Sequence, residues 1–124
     1  MSQGLKTTFL IHAIVALVFG IVMYLIPGTF ARLIGWQPFD GNMTRGFAAA
    51  LLALAVSSWF GYRAARWDEV RIVVQMEIAF TVLGAVAGLY GFFVKGAPAI
   101  IWIAIVIWVA FAAAWLYFYS RARA

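Results

Sequence analysis

Four long apolar runs, separated by short polar or turn-forming segments, set the pattern of this chain. Runs of about 18 or more apolar residues are long enough to cross a bilayer, since ~20 helical residues span its hydrocarbon core. The pattern predicts helices over residues 7–26, 43–62, 70–93 and 97–119. Pro27-Gly28 is expected to end the first. Between the first and second runs, Phe30, Leu33 and Ile34 recur at helical spacing with Arg32 off that face. This segment reads as a short amphipathic turn lying in the interface and anchored by Trp36, or as a structured loop. Asn42 or Thr44 is the expected cap of the second span and Asp68 that of the third. The expected fold is an all-α, four-helix transmembrane bundle of up-down connectivity, forming a single integral membrane domain over 1–124.

Composition supports that class. Hydrophobic residues make up 67% and charged residues 10% of the chain, which leaves too little polar surface for a soluble fold. The first run is too long for the apolar part of a signal peptide, and Thr29-Phe30-Ala31 is a poor cleavage site. The span is therefore expected to be retained. There is no cysteine, so disulfides, thiolate nucleophiles and cysteine metal sites are excluded.

The net charge of +5 is scattered over the helix ends. No basic run with interleaved aromatics points to nucleic acid, and the expected contact is the lipid bilayer. Lys6, Arg63, Arg66, Arg71, Arg121 and Arg123 fall on the side that carries both termini. Arg32, Arg45 and Lys95 fall on the other. The excess of basic residues predicts cytoplasmic termini and a multi-pass inner-membrane location.

The third run carries a carboxylate, Glu77, about two turns in, roughly 10 Å along the helix at ~1.5 Å per residue. Ionisable groups at such depth are costly and face the protein interior or a wet cavity. Thr81, Gly84, Gly88 and Gly91 share its narrow face. In the first run His12, Ala16 and Gly20 align in the same way. Ala49, Ala53 and Ser57 form a small-xxx-small line in the second, and Gly84 to Gly88 is a GxxxG that admits a homodimer or packing within the chain. On the fourth run Trp115, Tyr117 and Tyr119 suit the headgroup belt.

With both termini on one side, His12, Ser57, Ser58 and Glu77 come to one level. Glu77 with His12 is the expected pair, each relieving the desolvation of the other. Such a pair reads first as polar glue that fixes helix register. A protonatable site at the base of a cavity is the sharper reading, for coupled transport or for holding a ligand head. The glycines either allow tight packing or line a slot for an elongated ligand. A lone His without a haem-attachment motif gives no support for haem, and no cofactor is expected. Ser57-Ser58 has no glycine elbow, no carboxylate-oriented histidine is evident, and no metal-ligand spacing occurs, so no catalytic or metal site is expected.

Pro27 at the end of the first helix, Gly35-Trp36, Asp40, Arg45-Gly46, an Ala/Leu-rich second helix, Trp59 and an Arg-rich turn together resemble the DoxX-like group of small four-helix prokaryotic membrane proteins. The resemblance covers about half the chain. It implies a four-helix bundle with an accessory or unknown role, and it carries no catalytic residues over. The function expected first is a small non-enzymatic accessory or scaffold component, self-associating or bound to a membrane protein partner. The alternatives are a small dimeric proton-coupled transporter or channel using Glu77, and a binder of a lipid, quinone or isoprenoid.

Overall fold

In a computed structural model, which describes residues 1–123, the chain is five helices and no strand among the described residues. They are α1 (Gln3–Leu25), α2 (Pro27–Ile34), α3 (Gly41–Arg63), α4 (Trp67–Lys95) and α5 (Ile101–Arg123). All but α2 are long and apolar enough to cross a membrane.

The helix ends follow local chemistry. Ser2 accepts a hydrogen bond from Leu5 N at 3.2 Å, so α1 starts four residues before the expected Thr7. Pro27 does not lead into a loop. It occupies the first turn of α2, where its missing N–H is no loss, and Gly35 closes α2 at φ 67°. Asp40, rather than Asn42 or Thr44, caps α3 through Oδ1, which accepts from Asn42 N at 2.8 Å and Met43 N at 3.0 Å. At α4 the expected cap Asp68 gives way to Glu69. Its Oε2 accepts from Ala65 N and Arg66 N at 3.0 and 3.4 Å. Gly96 at φ 65° ends α4. After Pro98 the chain makes tight i to i+3 turns, with Ile101 N donating to Pro98 O at 3.0 Å and Trp102 N to Ala99 O at 3.1 Å, and α5 begins at Ile101 rather than Ala97.

The four long helices associate as two close pairs. In the first, Gly20 meets Leu52, His12 meets Ser58 and Phe9 meets Gly61, so α1 and α3 run antiparallel. In the second, Gly88 meets Ile105, Gly84 meets Trp108 and Gln75 meets Tyr119, so α4 and α5 do likewise. The glycines are what let the backbones approach. A Cβ on Gly61 would lie 2.6 Å from Phe9, and one on Gly84 would lie 2.8 Å from Trp108.

The pairs join at the end nearer the termini. Leu5 and Phe9 of α1, Val70 and Val74 of α4 and Trp115 of α5 form the buried core there. Trp115 is thus no belt residue. It is fully buried, with its ring 4.9 Å from that of Phe9. The small line on α3 is also displaced. Ala49 and Ala53 are exposed, whereas Ala48, Leu51, Ala55 and Ser58 are buried. One step along a helix rotates it by about 100°, enough to exchange the packed and exposed sides.

Candidate functional site

One turn above that core the two pairs are tied by three polar side chains. His12 comes from α1, Ser58 from α3 and Glu77 from α4. His12 is 5% exposed, and Ser58 and Glu77 are fully buried. Ser58 Oγ lies 2.8 Å from His12 Nδ1 and 3.3 Å from Glu77 Oε1. His12 Nε2 lies 3.4 Å from Glu77 Oε2, within ion-pair distance but without hydrogen-bond geometry. Phe111 and Trp115 of α5 wall the histidine, with ring centroids at 4.7 and 5.7 Å.

The Ser58 hydroxyl has one proton to donate. When it points to Glu77, His12 Nδ1 must carry a proton to complete the chain. When it points to His12, the Glu77 carboxyl must carry one. The three groups therefore hold a proton in one of two arrangements. Trp115 Nε1, buried beside them, has no hydrogen-bond partner among the described residues.

A histidine flanked by a serine and a carboxylate does therefore exist, contrary to the expectation from sequence. The groups close a ring, because Ser58 contacts both partners, whereas a hydrolytic triad runs in a line from an accessible hydroxyl. Ser58 exposes no surface. Among the described residues, no group of three or more His, Asp or Glu side chains could hold a metal ion.

The structure brings His12, Ser58 and Glu77 together, with Thr81 one turn above. Thr81 Oγ1 donates to the Glu77 carbonyl at 2.7 Å and is turned to its own helix. Ser57 does not join them. Its hydroxyl donates to Leu54 O at 2.9 Å, and the residue lines a separate groove with Arg63 and Glu69. Gly20, Gly84 and Gly88 are packing positions, filled by Leu52, Trp108 and Ile105. Gly91 is looser, since a Cβ there would meet Ile101 at an ordinary 3.6 Å.

Beyond the tie the helix pairs part and leave a half-open cavity of about 600 Å³ between them. His12 and Thr81 lie at its inner end. Its walls are Val15, Phe19 and Met23 of α1, Leu51 of α3, and Ile107, Trp108 and Phe111 of α5. Phe30 and Ile34 of α2, with Trp36 and Phe39, roof the outer end. Phe47 of α3 stacks on Phe80 of α4, 6.4 Å between ring centres, and joins the pairs on one side. From His12 to Met23 the wall runs about 16 Å at ~1.5 Å per residue. The slot foreseen along the glycines is thus displaced. Trp108 fills the groove at Gly84 and turns its other side to the cavity. The sequence held one sign of this space, the amphipathic segment after Pro27. The segment expected to lie in the interface instead turns Phe30 and Ile34 to the cavity, while Leu33 is 80% exposed and Ala31 takes its place inside.

Comparison with protein-family models, curated proteins and solved structures finds no match to this chain.

Proposed function

We propose that this chain is a non-enzymatic, multi-pass membrane protein that holds one elongated apolar molecule between its two helix pairs. A lipid chain, a quinone tail or an isoprenoid fits that description. The carrying observation is the cavity itself, which falls within the ~300–1,000 Å³ usual for small-molecule sites and is apolar along nearly its whole length. A scaffold needs only packed helices, whereas here packing persists within each pair but gives way between the pairs to open space beyond the polar tie. In this reading the four spans form an up-down bundle with both termini cytoplasmic, as the basic residues suggest, and the cavity lies in the leaflet away from them. The resemblance to DoxX-like proteins suits a small membrane protein of this architecture and assigns no further role.

The His12–Ser58–Glu77 ring favours proton-coupled transport as a second reading, because a proton can occupy either end of it beside the cavity.

The test is thermal unfolding in phosphatidylcholine nanodiscs with added geranylgeraniol. A molecule that binds only the folded form stabilises it by about 2.7 kcal/mol at a hundredfold excess over Kd. The native chain should gain Tm with concentration. Ala104→Trp, which fills the cavity wall, should not. Equal shifts in both proteins would contradict the proposal. Substrate-driven proton flux that is lost in Glu77→Gln would move the assignment to transport.

A further inference from the structure

Two arginines lie near the residues that roof the outer end of the cavity, and neither has a carboxylate partner among the described residues. Arg32 Nη2 donates to Thr29 Oγ1 at 3.1 Å, and Arg45 Nε donates to the Tyr24 carbonyl at 3.2 Å. Among the described residues, neither forms an ion pair with a carboxylate; the ion pairs there are His12–Glu77 and Arg66–Glu69, both remote from this mouth. Asp40, the acid nearest in sequence, directs Oδ1 to the amides of the α3 cap.

Both guanidinium groups lie in the neighbourhood of one ring, that of Phe39. Arg32 Nη1 and Phe39 Cε1 each lie 3.9 Å from the point a Cβ would occupy on Gly28. Arg45 Nη1 and Phe39 Cζ lie 3.5 and 3.6 Å from the corresponding point on Gly41. Phe39 in turn lines the mouth of the cavity. The two cations do not line the cavity itself but sit on the side of Phe39, where a long apolar molecule in the cavity would leave its head. The inner end is unsuited to an anion, because its carboxylate is already there and both nitrogens of His12 already face partners.

We propose that Arg32 and Arg45 receive the phosphate of a phosphate-bearing lipid whose chain occupies the cavity. This rests on the cavity reading above and adds the charge and the orientation of the ligand. A guanidinium offers a planar fork of donors matched to phosphate oxygens. Phosphate lies outward at Phe39, and the chain runs inward past Trp108 to His12. A prenyl monophosphate and a phosphatidic acid share this chemistry.

The experiment measures binding to the protein in phosphatidylcholine nanodiscs, with geranylgeranyl monophosphate and geranylgeraniol as paired probes. The phosphate should bind more tightly than the alcohol. Arg32→Gln and Arg45→Gln should each weaken the phosphate by about tenfold, as expected for the loss of one charged hydrogen bond, and leave the alcohol unchanged. Arg121→Gln, at the opposite end of the molecule, should leave both unchanged. Equal affinity for phosphate and alcohol would overturn the phosphate site while leaving the cavity reading intact. Failure of both probes would overturn that reading as well. An equal loss in Arg121→Gln would mean diffuse attraction and would also overturn the site. With the phosphate advantage established, competition by dioleoyl phosphatidic acid would identify phospholipid as the source, and its failure to compete would identify prenyl phosphate; either supports the shared site.

Discussion

At the scale of single residues, the tie depends on three groups that no one of them can replace. Glu77 is fully buried, and its contacts are one hydroxyl and one imidazole. Removing one member of a buried pair leaves the other desolvated without compensation, a loss of about 3–5 kcal/mol. Glu77→Ala and His12→Ala should each lower stability by about 3 kcal/mol. The double variant should lose clearly less than the sum, which a double-mutant cycle by steric trapping or denaturant titration would show. Strict additivity would mean that the two side chains do not interact. Ser58→Ala should lose about 1–2 kcal/mol, as for interhelical hydrogen bonds in membranes. The Glu77–His12 pair was legible in the sequence because depth along two helices could be counted. Ser58 and Ser57 could not be told apart in that way. Adjacent helical residues point about 100° apart, and only the rotation of α3 against α1 decides which one faces inward.

At the scale of elements, each pair of helices is set by a large side chain lying in the notch of a glycine. Trp108 lies on Gly84, and its position defines both the α4–α5 contact and one wall of the cavity. Gly84→Leu should displace that indole into the cavity and reduce ligand occupancy. The strain of overpacking should lower stability by about 1–3 kcal/mol. Native occupancy in that variant would show that Trp108 does not bound the site. Gly91→Ala, where a Cβ meets only ordinary contacts, should be near neutral in the same stability measurement. The spans were readable from length and hydropathy to within a few residues. Their caps were read less well. Asp40 and Glu69 cap α3 and α4 across a turn, and a short side chain beside the first apolar residue is an incomplete guide to which carboxylate reaches back.

At the scale of the whole molecule, two tight pairs meet at one end and part at the other. The closed end holds the aromatic core around Trp115, and the open end holds the apolar space under α2. No periodicity reports such a parting. In a membrane the lipid-facing and cavity-facing sides are both apolar, so Ile107 in the cavity and Val106 on the exposed outer surface look alike in sequence. The same ambiguity put Trp115 in the headgroup belt. The chain has no cysteine, so engineered pairs report cleanly. Phe47→Cys with Phe80→Cys should be linked by a bifunctional thiol reagent across the side that their stacked rings now close. Absence of linking would mean that α3 and α4 are not joined there.

Native mass spectrometry of the protein released from nanodiscs asks most directly whether the space between the pairs holds a ligand. The native chain should carry one discrete apolar molecule at one-to-one stoichiometry, and Ala104→Trp should be released without it while still folded. A native chain that is released folded and empty, or an Ala104→Trp variant that retains the same mass, would contradict a ligand site between the two helix pairs.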